Sequence, residues 1–287
     1  MQRILSRGEI ERLDPTKIPE VYLPAAQQVF TERAKRLKAL AAGNPIADYL
    51  LLMAHIAQQQ AQLAQVGGLE QQAVHGQKQA QEQGAPPLAP LLWQRKGQWL
   101  EHLETIICGL LPLYPAGETQ QVLDSLQQVL QTAPERIEDH ANAFLTHNIN
   151  ENLNLAWAPF IMAALQSYCT QLAEVLDEQA LGQKVSFGAC PCCGALPVAS
   201  VVKMAGSSAG RRYAVCSLCA TQWHIVRVTC THCESTKDIT YHLIDSGDEA
   251  IRAESCGQCS SYRKIFYQEK DPQVEALADD LASIELD

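Results

Sequence analysis

The chain has 287 residues, 47% of them hydrophobic and 19% charged, which excludes a wholly disordered polypeptide and leaves room for two domains of ordinary size. Its net charge of -10 argues against a nucleic-acid or anionic-membrane binder, because both need a positive footprint. The first residues hold no apolar signal-peptide core, and no apolar run approaches the ~20 residues of a membrane span; no span is expected, and the setting reads as cytoplasmic, where thiols stay reduced.

Residues 1–183 carry net -7, residues 184–271 net +2 and residues 272–287 net -5. The first part reads as an all-α domain, with a bundle as its natural form. From Ile46 to Val66 the positions Ile46, Tyr49, Leu50, Met53, Ile56 and Leu63 share one face of a 3.6-residue period. Asn44 and Pro45 supply a cap and a first-turn proline, and Gly43 suits the exit of the helix before. A Gln-rich stretch over 57–83, read as a solvated helix face, ends at the Pro-rich break 84–90. Further helices are predicted near 92–111, 118–132 and 152–179, the last with Leu153, Trp157, Phe160, Ile161, Ala164, Tyr168, Leu172 and Val175 on one face.

After residue 184 short β-type runs take over: Pro197–Met204, Arg211–Val215, Gln222–Val228, Ile239–Ile244, Ile251–Ser255 and Lys264–Gln268. Turns are expected at Gly206–Gly210 and Ser246–Glu249. The acidic tail places Val274, Leu277, Ala278, Leu281 and Ile284 at helical spacing, as a helix that rests on another element.

Nine of the eleven cysteines lie between Cys190 and Cys259, eight of them as C-x-x-C pairs: Cys190/Cys193, Cys216/Cys219, Cys230/Cys233 and Cys256/Cys259. Twenty-two residues separate the first pair from the second, and 22 the third from the fourth; the two sets are offset by 40 residues. Arg212 and Arg252 stand four residues before Cys216 and Cys256, so a whole unit is duplicated. About 40 residues cannot fold alone, and an ion held by two thiolate pairs supplies the missing stability. The order knuckle, strand, turn, strand, knuckle, strand is that of a zinc ribbon or rubredoxin-like unit. Zinc and iron both accept four sulfurs in a tetrahedron; iron–sulfur cluster spacings differ, and thioredoxin chemistry lacks its βαβ context.

The expected architecture is α+β and multidomain: a helical domain over 1–183, metal units over 184–228 and 229–271, and an acidic helix over 272–287. Only ten residues separate Cys219 from Cys230, so the two units are expected to abut and could share a sheet. Spacing leaves open whether the pairs close within each unit or across the two. Cys192 reads as a bystander thiol, and Cys108 and Cys169 as inert core residues. His224, His232 and His242 read as strand or surface residues, since four sulfurs already complete each site. Arg211, Arg212, Arg227, Arg263 and Lys264 with Tyr213, Trp223, Tyr262 and Tyr267 could form a basic-aromatic nucleic-acid patch, but a net of +2 favours an ordinary strand surface. No nucleophile elbow, phosphate loop, dinucleotide fingerprint or zincin motif is present, and four cysteines leave an ion no open position. The residues favour a binding or assembly protein over an enzyme.

The stretches Cys190–Val202, Arg212–Cys219, Trp223–Val228, Ala253–Cys259 and Tyr267–Leu281 resemble the formate dehydrogenase accessory protein family, FdhE. Arg33–Lys38, Asn44–Leu50 and Ala158–Ala164 match it more loosely. The resemblance implies a cytoplasmic protein required for active respiratory formate dehydrogenase, partnered with that enzyme's catalytic subunit. It further implies iron in two rubredoxin-like sites of four cysteines each. Cys190, Cys193, Cys216 and Cys219 are nominated for one ion, and Cys230, Cys233, Cys256 and Cys259 for the other. Zinc is the alternative metal, and homodimerisation stays open. The rival functions are a zinc-ribbon nucleic-acid binder and a rubredoxin-type electron carrier.

Overall fold

The computed structural model describes residues 19–65, 68–89, 97–177, 181, 188–243 and 249–287. Among the described residues seven α-helices come before the cysteine region: α1 (Ala26–Leu40), α2 (Ala47–Leu63), α3 (Glu70–Gln83), α4 (Gln98–Leu110), α5 (Glu118–Thr132), α6 (Pro134–Leu145) and α7 (Ala158–Glu174). A further helix, α8 (Ala276–Ala282), lies in the tail. Strands β2 (Pro197–Val202), β3 (Arg212–Cys216), β4 (Gln222–Ile225), β5 (Ile239–His242), β6 (Ile251–Cys256) and β7 (Tyr262–Tyr267) fall on the predicted runs. The turn expected at Ser246–Glu249 and the boundary at 183/184 lie largely outside the described residues.

Helix α7 organises the helical part. Twelve of its 17 residues are buried, so it is apolar nearly all round and runs through the core instead of along its surface. It begins at Ala158, later than its periodicity suggests, because Asn154 accepts a hydrogen bond from Ala156 N and closes a 3₁₀ turn first. Val175, assigned to the apolar face, is exposed just past its end. Asn44 likewise caps a turn: its Oδ1 accepts from Ile46 N, and α2 starts at Ala47. Tyr49, placed on the inner face by spacing, is also exposed.

Helix α6 and one short strand escaped the sequence reading. Val21–Tyr22 form a two-residue strand, β1, too short to show alternation, and it pairs antiparallel with β4. The result is a single seven-stranded sheet in the order β1-β4-β3-β2-β7-β6-β5. Within each unit the strands are antiparallel; the units join where β2 meets β7 in parallel, with Val201 opposite Phe266. The repeat is therefore head-to-tail. The β4 edge of the first unit corresponds to the β7 edge that the second unit offers to β2, and β1 covers it.

Strand alternation divides the sheet between two cores. Ala214, Cys216 and Trp223 join the cluster formed with α4 and α7, which includes Leu103, Leu165, Tyr168 and Leu172. Val215, Ala199, Val201 and Phe266 face the other way, onto Val274 and Ala276 of the tail. Helix α8 then fills the gap between sheet and helices, with Ala278 against Leu37, Leu50 and Ala54. Its acidic charges are answered by basic partners. Arg33 bonds Glu275 at 3.0 Å, Arg36 bonds Asp279 and Asp271 at 2.6 Å, and Lys264 bonds Asp287 at 2.8 Å.

Candidate metal centres

Each C-x-x-C pair sits on a turn of one design, repeated four times. The amide of the first cysteine donates to the carbonyl five residues on: Cys190 to Ala195, Cys216 to Thr221, Cys230 to Ser235 and Cys256 to Ser261, all at 2.9 Å. The residue after the second cysteine is left-handed each time: Gly194 (φ 78°), Ala220 (56°), Glu234 (61°) and Ser260 (57°). That conformation turns the chain back sharply enough to aim both sulfurs at one point; only the first knuckle uses glycine, the residue that adopts it without strain.

The sulfurs converge in two groups of four, each from one unit. In the first, Cys190 and Cys219 Sγ stand 3.5 Å apart, and Cys193 and Cys216 3.4 Å. In the second, Cys230 to Cys259 and Cys233 to Cys256 are both 3.7 Å. Within each group all four sulfurs lie inside 4.8 Å of one another. A tetrahedron with ~2.3 Å metal–sulfur bonds has edges of about 3.8 Å. The pairs close within the units, which spacing alone left open.

The donors suit a thiophilic cation. Leu218 N and Cys219 N donate to Cys216 Sγ at 3.3 Å, and His232 N to Cys230 Sγ at 3.3 Å, the amide arrangement that steadies thiolates. Burial pushes the Cys190 and Cys216 thiols up, and hydrogen bonds with Cys190, Cys216 and Cys219 hold Cys193 up. Cys219 goes the other way: burial opposes its ionisation, but bonds from the neighbouring thiols outweigh it. In the second group burial raises Cys230, yet bonds from Ser261 and the Cys233 and His232 amides bring it down to about 6. Each group thus combines sulfurs whose ionisation is favoured with sulfurs whose ionisation is opposed; a divalent cation among them favours the thiolate at every position. Zinc and iron both fit such a donor set.

The neighbouring candidates separate clearly. Cys192 is fully buried beside the first group. Cys169 is buried in α7, whereas Cys108, expected in the core, is exposed on α4. Among the described residues no histidine joins either sulfur group; His232 and His242 are exposed, and His242 bonds Ser255 Oγ at 2.8 Å. The basic-aromatic set does not form an open patch. Arg212, Tyr213, Trp223 and Lys264 are all buried, and Arg212 is spent on Glu254 through bonds of 2.9 and 3.0 Å. Sequence reasoning passed over Glu254, whose counterpart 40 residues earlier is Ala214. It also passed over Gly188, where a Cβ would lie 2.1 Å from Thr231 O. The start of the first unit therefore packs directly on the second unit's knuckle.

Three family models match the chain in succession: "FdhE, N-terminal" over 18–185, "FdhE, central domain" over 189–227 and "FdhE, C-terminal domain" over 228–287. The chain belongs to the FdhE family. An FdhE homolog of Cronobacter sakazakii is 40% identical over 291 residues, which cover 99% of this chain and 92% of that protein. The FdhE protein of Salmonella heidelberg is 38% identical over 284 residues, covering 98% and 89%. The crystal structure of the FdhE protein from Pseudomonas aeruginosa superposes with a TM-score of 0.80 at 35% identity, covering 93% of this chain and 92% of that one. The likeness runs through the helical half and the sheet with its two four-cysteine groups alike. Among the described residues no helix is long and apolar enough to cross a membrane.

Proposed function

We propose that this FdhE-family chain is a cytoplasmic accessory protein in the maturation of respiratory formate dehydrogenase, binding the catalytic subunit and catalysing no reaction of its own. The eight paired cysteines hold two ions, one per unit, and iron in the rubredoxin manner is the reading we favour over zinc. The observation that carries the proposal is the pair of self-contained sulfur tetrahedra on one continuous sheet, in a chain that matches FdhE from end to end. Four protein sulfurs complete a tetrahedron, which suits a scaffold or electron-exchange role and leaves no position for a substrate.

In this reading residues 184–228 and 229–271 are the metal units and 272–287 the helix that ties them to the helical domain. The bulk of that domain then offers the grip on the client. Affinity capture under anaerobic conditions from cells growing on formate, with metal analysis of the bait, tests both halves. Recovery of the catalytic subunit with two equivalents of iron is expected. A bait that brings down no formate dehydrogenase subunit refutes the assembly role, and two equivalents of zinc refute the iron assignment.

A further inference from the structure

The two sulfur groups share a knuckle design but occupy opposite environments. Cys190, Cys193, Cys216 and Cys219 are each at most 3% exposed and belong to the main core cluster, beside Leu88, Leu165, Tyr168 and Leu172. The helical part also clamps their knuckles from outside. Leu88 N donates to Cys192 O at 2.7 Å, and Gln166 of α7 donates to Ser217 O at 2.9 Å. In the second group Cys230 and Cys256 are buried, but Cys233 is exposed and Cys259 partly so. Those two sulfurs come from different knuckles, so one side of the tetrahedron is open. Their flanking residues His232, Glu234, Gln258 and Ser260 are exposed too, and none of the described core clusters includes a cysteine of this group.

From this contrast we propose that the two centres divide their labour: the first is a sealed structural centre, and the second an exchange site open to a soft donor, such as a thiolate of a partner protein. The inference rests on the two-ion reading above. Ligand replacement at a four-sulfur centre needs the incoming donor to reach the ion before a resident sulfur leaves. At the second centre that approach is free on the side of Cys233 and Cys259. The incoming thiolate forms its bond to the ion, the bond to Cys233 Sγ breaks, and the freed Cys233 thiolate takes a proton from water. No electron changes hands. At the first centre the same approach requires α7 and residues 86–88 to part from the knuckles, a sub-global opening of the fold.

The test uses the full chain, loaded anaerobically with two equivalents of Co(II) and challenged with excess of a pyridylazo chelator. One equivalent is expected in a fast phase, and the other more than about tenfold more slowly, because its release waits on opening of the core. C233S is expected to alter the fast phase alone. Amide exchange of the loaded protein gives a second readout, with 231–234 and 257–260 exchanging ahead of 191–194 and 217–220. Release of both equivalents in one phase, or a C233S variant that changes the slow phase, overturns the proposal. Failure to bind two equivalents overturns it together with the two-ion reading. Biphasic release from a chain that captures no formate dehydrogenase supports the division of labour and refutes only the assembly role.

Discussion

The buried pair Arg212–Glu254 joins the two four-cysteine units across the sheet, and removing one partner is the most incisive perturbation of the fold. The side chains are only 1% and 3% exposed, and the guanidinium meets the carboxylate through two bonds, at 2.9 and 3.0 Å. Beyond Glu254, Arg212 finds backbone carbonyls, Arg227 O at 3.0 Å and Thr229 O at 3.5 Å, which orient its charge without neutralising it. Glu254→Ala therefore strands a buried cation, at a cost of about 3–5 kcal/mol. With an unfolding entropy of ~2.1 cal/mol/K per residue, a chain of this length loses about 5–8 °C in Tm if it unfolds as one. The repeat provides an internal control. Arg252, the counterpart of Arg212, stacks on the Tyr267 ring at 4.8 Å, so Arg252→Met should cost only about 1 kcal/mol. The double variant R212M/E254L removes both charges and should recover most of the loss. Thermal and denaturant unfolding at matched metal content measures all four proteins. E254A within about 1 kcal/mol of the parent, at equal metal content, would refute the reasoning.

Three further outcomes follow from particular residues. Ala220 is left-handed at φ 56° where the first knuckle has Gly194, so Ala220→Gly should stabilise the chain by up to about 1 kcal/mol, read as a higher denaturant midpoint. Gly188→Ala drives a methyl onto Thr231 O, 2.1 Å away, and backbone must move; a loss of about 1–3 kcal/mol is expected, and an unchanged midpoint would show that the units do not abut there. His102, buried in α4, has its pKa lowered to about 4 by burial alone. The unfolded chain takes up that proton near pH 6.5 and the folded chain does not. Stability from this group is therefore present above about pH 6.5 and is lost as pH falls towards about 4, by about 3 kcal/mol in all. His102→Leu should flatten the stability-versus-pH difference over that window; a parent-like slope in the variant would assign the dependence elsewhere.

Much of this protein could be read along the chain because its strongest signals are local. A C-x-x-C pair fits one short turn, and the 40-residue offset carries the duplication from Cys190–Cys219 to Cys230–Cys259 without any knowledge of packing. Strand runs and the core helix α7 were legible for the same reason, since periodicity records which face is buried. Helix starts were less so: α2 and α7 each begin a few residues late because an asparagine side chain closed a preceding turn. Helix α6 went unpredicted although its signal is local too: Pro134 stands in its first turn, and Ile137, Ala141 and Phe144 fall at helical spacing on its buried face.

What the amino-acid order determined by itself was the division into a helical half and two sulfur-bearing units, because composition, spacing and period are properties of contiguous residues. What only the tertiary structure decided was how those parts meet. The parallel seam between β2 and β7, the strand β1 borrowed from ahead of the helices, and the pairing of Arg212 with Glu254 all join residues far apart in sequence. Such contacts depend on which surfaces the folded chain brings together, and two knuckles of the same pattern carry no local mark of being buried or exposed. The sealing of Cys190–Cys219 by α7 and the exposure of Cys233 are therefore consequences of packing, written in the arrangement of the whole molecule.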